Sequence, residues 1–67
     1  MSDYLEGVKA EENISMIINT IKCCCLNIYN SEDINFINKE GRTLKREANK
    51  LIEEKIKFLR RYNENIN

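Results

Sequence analysis

Three consecutive cysteines, Cys23-Cys24-Cys25, are the first residues of this 67-residue sequence that could do chemistry. Thiolates bind zinc in a tetrahedron, but successive side chains on a helix point about 100° apart and cannot converge on one ion. The chain has no His and no second cysteine cluster to complete such a site. The expectation is therefore no metal and no cofactor. Cys24 and Cys25 would fill a helical stripe as small apolar side chains, with Cys23 near the surface. Palmitoylation suits a cysteine cluster in a eukaryotic or viral setting, yet no polybasic or hydrophobic second signal adjoins this one. The odd count and the lack of a secretory signal point to a reducing, cytoplasmic setting.

A second candidate is basic. Arg42, Lys45, Arg46 and Lys50, followed by Lys57, Arg60 and Arg61, could track a phosphate backbone with Tyr62 nearby for stacking. Glu47, Glu53 and Glu54 sit among these cations, and the formal charge of the whole chain is zero. Pairs such as Glu53–Lys57 and Glu54–Lys57 are ordinary helix-surface contacts, so a solvated face is the first reading and nucleic-acid contact the alternative. Lys55 interrupts an apolar repeat, where a lysine snorkels to the edge or sets register. No nucleophile elbow, phosphate-cradling glycine loop, paired metal-binding acids or Cys/His pair occurs, so no enzymatic activity is expected.

The elements that would position these residues follow from composition and period. The chain is 42% hydrophobic and 33% charged, with no Pro and only Gly7 and Gly41, which favours long helices with few connections. Ile14, Ile18, Ile21, Cys25 and Ile28 alternate spacings of four and three, with Ile17 and Cys24 on one flank. This predicts a helix from about residue 10 to 29, with Ser2 and Asp3 as an earlier capping signal. Ile34, Ile37, Gly41, Leu44, Ala48, Leu51, Lys55, Phe58 and Tyr62 keep the same repeat, broadened by Ile52, Ile56 and Leu59. This predicts a helix from about 31 to 63. Ser31, with Glu32 and Asp33 behind it, is the expected cap, and Lys57, Arg60 and Arg61 suit the far end. Gly41 either closes a short helix at 32–40, with Thr43 capping another, or sits inside one helix where two helices approach closely. The unbroken register favours the second.

Only Tyr29-Asn30-Ser31 separates the two runs, which forces antiparallel neighbours. The expectation is an all-α fold, a single helical-hairpin domain over residues 1–67 with coiled-coil-like packing. The longest apolar stretch, 14–28, is broken by polar residues and too short to span a membrane. Each stripe is wider than one neighbour can bury, so two hairpins should pair as a four-helix bundle, an architecture similar to the small plasmid-copy-control RNA-binding dimers. Residues 1–38 carry two basic and six acidic side chains, and residues 39–67 nine and five. That asymmetry favours antiparallel docking.

The segment Lys45-Arg46-Glu47-Ala48-Asn49-Lys50-Leu51-Ile52 resembles the Ser-Gln-Glu-Leu-Asp-x-Leu-Ile signature of the small sporulation aspartyl-phosphate phosphatases, which are hairpins of similar length. Glu47, Leu51 and Ile52 match. Lys45, Arg46 and Asn49 stand where that family has Ser, Gln and its functional Asp. The resemblance implies, as a further alternative, a signalling regulator that dephosphorylates a response regulator. The leading expectation is a helical protein–protein interaction module, binding itself as a homodimer or a larger protein as regulator, inhibitor or accessory subunit. Its packing residues would be Ile14, Ile18, Ile21, Cys25, Ile28, Ile34, Ile37, Leu44, Ala48, Leu51, Phe58 and Tyr62. The alternative is an RNA- or DNA-binding dimer using Arg42, Lys45, Arg46 and Lys50.

Overall fold

The computed structural model describes the backbone of residues 2–66 and the side chains of residues 9–61. Two helices, α1 (Ser2–Asn30) and α2 (Ile34–Ile66), pack against each other as an antiparallel hairpin. α1 exceeds its predicted span, beginning upstream of residue 10, whereas α2 begins and ends three residues later than expected. Without Pro, and without a glycine in the left-handed region, nothing along either run stops helix propagation. Each helix is therefore roughly 45–50 Å long at 1.5 Å per residue, and the molecule's long dimension is 50 Å.

The link is Ser31-Glu32-Asp33, two residues beyond the expected break. Asp33, and not Ser31, caps α2. Its Oδ1 accepts the backbone N–H of Asn35 at 3.0 Å and of Phe36 at 3.3 Å, and its carbonyl accepts from Ile37 at 2.9 Å. Three groups at the start of the helix are thereby satisfied, with a carboxylate at the positive end of the dipole. Ser31 serves the turn instead: its hydroxyl oxygen accepts the Asp33 N–H at 3.1 Å, and its own N–H reaches the Ile28 carbonyl at 3.4 Å. Because α2 continues to Ile66, Lys57, Arg60 and Arg61 lie short of its last turn, which carries no basic residue.

Near the link, Asn27 Nδ2 donates to Glu40 Oε1 at 3.3 Å. Towards the other end Glu11, Ile14 and Ser15 line a shallow groove together with Lys55 and Phe58. These two points set the antiparallel register. Along α1 the side chains turned towards α2 are Ala10, Ile14, Ile17, Ile21, Cys24 and Ile28, which recur at spacings of four and three. On α2 the corresponding line is Ile37, Glu40, Leu44, Glu47, Leu51, Glu54 and Phe58, with Gly41, Thr43 and Ala48 half-buried beside it. The α1 seam thus shares Ile14, Ile21 and Ile28 with the stripe read from the sequence, but takes Ile17 and Cys24 inward and leaves Ile18 and Cys25 exposed. A helix meets one neighbour along a narrow strip, and this strip is rotated by one residue from the centre of the apolar set.

Gly41 lies inside an unbroken α2, as the register implied. The close approach expected there is not found: a Cβ added to Gly41 would meet nothing within 4 Å. Gly41→Ala should therefore raise stability by about 0.5–1 kcal/mol, because it reduces backbone entropy in the unfolded chain without a clash. Urea unfolding followed by far-UV circular dichroism measures this, and a neutral or destabilised variant would contradict the open geometry. By the same method, Asp33→Ala should cost about 1 kcal/mol through loss of the cap, and Ser31→Ala less.

Candidate interaction face

Two antiparallel right-handed helices give a hairpin two broad faces. Advancing in the same rotational sense from each seam leads to the same face, because reversing a helix reverses both its direction and the side from which its partner is met. The two faces of this hairpin differ sharply in chemistry.

One face is polar and largely self-satisfied. The Thr20 hydroxyl donates to the Met16 carbonyl at 3.1 Å, and the Thr43 hydroxyl to the Lys39 carbonyl at 3.3 Å. The Asn27–Glu40 bond crosses the seam on this side. Glu47 is buried, at 8% exposure, and its Oε1 lies 3.5 Å from Lys50 Nζ and 3.9 Å from Arg46 Nε. Glu54 Oε1 takes Lys57 at 3.8 Å. Glu40, Glu47 and Glu54 repeat every seven residues along this margin. Sequence reading passed over that acidic heptad, although its period matches the seam's and the spacing alone could have exposed it. No buried side-chain nitrogen or oxygen among the described residues lacks a partner.

The opposite face carries most of the exposed apolar side chains. At 100° per residue, Ile18 and Tyr29 of α1 and Ile34, Ile52 and Leu59 of α2 fall on it, interspersed with Glu11, Lys22 and Lys55. These are five of the nine large hydrophobic side chains that remain exposed among the described residues, Tyr29 at 86% and Ile34 at 73%. Cys25 shares this face, and half-buried Gly41 and Ala48 leave its middle low. Met16 and Leu26 stand on the outer side of α1, Ile56 on the outer side of α2, and Phe36 on the polar face. Lys55 Nζ sits 5.5 Å from the Phe58 ring centroid, so a lysine within the apolar register lies over an aromatic ring with its stem along the groove.

The residues singled out in the sequence separate accordingly. Ile14, Ile21, Ile28, Ile37, Leu44, Ala48, Leu51 and Phe58 are half-buried along or beside the seam, whereas Ile18, Cys25 and Ile34 are exposed on the apolar face. The side chain of Tyr62 lies outside the described residues. Arg42, Lys45, Arg46 and Lys50 are all exposed on α2, but Glu47 beneath them engages two of the four. In the segment resembling the phosphatase signature, Glu47 faces α1 and Leu51 is half-buried, while Asn49, at the place of the family's Asp, is exposed. No group of three metal-ligating side chains occurs among the described residues, and none of the described helices is long and apolar enough to cross a membrane.

Comparison with protein-family profiles, curated proteins and solved structures finds no match to this chain.

The cysteine triplet samples three environments in three residues. Cys23 points outward, Cys24 lies in the seam at 4% exposure, and Cys25 lies on the open face. Burial pushes the Cys24 thiol above its usual range, and a hydrogen bond to the Glu40 side chain together with that carboxylate's charge adds to the effect. Its thiolate therefore forms more readily in the unfolded chain. Stability from this group is complete below the ordinary thiol range and declines as pH rises through it. With limiting iodoacetamide at about pH 8.5, a usual cysteine pKa, Cys23 should alkylate well before Cys24. Peptide mapping by mass spectrometry reads the order, and equal rates would contradict the burial of Cys24.

Proposed function

We propose that this protein is a helical protein–protein interaction module that acts by docking its apolar face onto another protein surface, as a regulator, inhibitor or accessory subunit. The observation that carries this reading is the segregation of exposed apolar side chains. Ile18, Tyr29, Ile34, Ile52 and Leu59 lie on one face, with Glu11, Lys22 and Lys55 among them, while the Glu47 and Glu54 ion pairs and the Asn27–Glu40 hydrogen bond lie on the other. Contiguous exposed apolar surface rimmed by polar groups marks interaction sites in soluble proteins. Interaction through a helix face also needs no catalytic group, which suits a chain lacking recognisable catalytic motifs. Nucleic-acid contact has weaker support, because Glu47 already engages Arg46 and Lys50.

The test is photo-crosslinked capture from cells of the native source, using wild type, Leu59→Asp and Lys57→Ala. Leu59 lies on the apolar face and Lys57 on the ion-paired side. A nuclease-resistant protein partner should be captured by wild type and Lys57→Ala and lost with Leu59→Asp. Equal capture by both variants, or no protein partner with a second copy of this chain included, overturns the proposal. Capture that depends on nucleic acid would favour the basic side of α2 instead.

A further inference from the structure

The apolar face has its own geometry, and that geometry identifies an occupant. On α1 the set Ile14, Ile18, Ile21, Cys25 and Ile28 is centred about 40° away from the line turned towards α2, or about 20° once the flanking Ile17 and Cys24 are counted, and on α2 the repeat from Ile34 to Phe58 is centred about 45–50° away, at 100° per residue. Both offsets lead towards the same open face. A helix with one neighbour should centre its apolar stripe on that neighbour. A helix in a four-helix bundle has two neighbours at right angles and should centre its stripe between them, about 45° from each. α2 has the second arrangement, and α1 is displaced towards it.

Resting on the interaction-face reading above, we propose that the occupant is a second copy of this chain, seated so that α1 crosses the second copy's α2 with both links at the same end. Three further observations support that choice. The hairpin's own core is thin: among the described residues Cys24 is the one hydrophobic side chain that is buried. A chain of this size needs oligomerisation or a comparable constraint to make up for so small a core. The face is also large enough. The hairpin's Cα outline of 50 by 15 Å projects to about 750 Å², room for a contact on the scale of the roughly 800 Å² per partner of a standard interface.

Charge then selects the orientation. α1 carries two basic and four acidic side chains, and α2 nine basic and five acidic. Placing α1 on the second copy's α2 sets opposite net charges together. The reversed arrangement, with links at opposite ends, places α1 on α1 and α2 on α2 and sets like charges together. In the favoured arrangement each α1–α2 contact between copies repeats the axial register found within the hairpin. Glu11 then lies at the level of Lys55 in the second copy, as both already do in the groove they share within one chain. Cys25 likewise lies at the level of Gly41 in the second copy, next to the unfilled space beside that glycine.

The experiment combines light scattering with thiol chemistry on the full chain in reductant. The expected mass is twice the 7.9 kDa of one chain. In that dimer Cys25 should alkylate roughly tenfold more slowly than Cys23, although both are exposed in the isolated hairpin, and should approach the Cys23 rate when dilution dissociates the pair. A variant carrying Cys23→Ser, Cys24→Ala and Gly41→Cys, with Cys25 retained, should form a two-chain disulfide band on oxidation. A dimer with Cys25 open, or with no inter-chain disulfide, overturns the proposed arrangement. A monomer whose Leu59→Asp variant still loses a captured partner overturns the second copy as occupant while leaving the interaction face intact. A monomer with no partner to lose overturns both.

Discussion

A helix can bury against one straight neighbour no more than a narrow strip of its surface, and this limit governs the hairpin. Among the described residues the strip along α1 is Ala10, Ile14, Ile17, Ile21, Cys24 and Ile28, and the other described apolar side chains of that helix must find cover elsewhere or stay wet. α2 faces the same limit with a seam that admits Glu40, Glu47 and Glu54. Two helices alone cannot enclose a core, since any side chain between them remains open at both margins. That is why these inward residues are mostly half-buried even though the helices are long. The two margins meet the problem differently. On one, Glu40 reaches across to Asn27 while Glu47 and Glu54 take lysine or arginine of their own helix; on the other, isoleucines stay exposed.

The hairpin itself was legible because its determinants are local. Ile14, Ile21 and Ile28 belong both to the sequence stripe and to the observed seam, so the 3.6-residue period alone placed two helices side by side. Whether Ile17 or Ile18 turns inward was not legible. The two differ by 100° of rotation, and the neighbour settles that choice, not the helix. The link illustrates a different limit. Ser31 and Asp33 are both good capping residues two positions apart, and propensity cannot rank them. In the fold each takes one task, Asp33 capping α2 and Ser31 closing the turn, so the helix begins later than its first capping residue suggested. The continuity of α2 through Gly41 was likewise visible in the register. The empty space beside it was not, since that depends on side chains brought from α1.

At the candidate site, the positions that matter most are those where stripe and seam disagree. Ile18 and Cys25 were read as packing residues from their spacing, and the hairpin leaves them exposed on one face with Ile34, Ile52 and Leu59. A sequence period reports every apolar neighbour a helix is built to have, whereas one folded chain supplies only some of them. The gap between the two is informative about what is missing. The acidic heptad was overlooked for the converse reason: attention to apolar spacing passes over charged residues that hold the same period and occupy the seam's margin.

The three-residue link has a kinetic consequence. Contacts close to it join residues few positions apart, as Asn27 and Glu40 do, while those at the far end join residues such as Ile14 and Lys55. Loop-closure entropy rises with the length of chain enclosed, so the least costly encounters lie beside Ser31 and Asp33, and each one formed shortens the loop that the next must close. Folding of one chain can then proceed like a zip, from the turn outward, with the low contact order that makes helical hairpins quick to form. Open surface far from the link is the last to gain its in-chain neighbour, and until then a growing chain offers other molecules more apolar surface than the finished hairpin does.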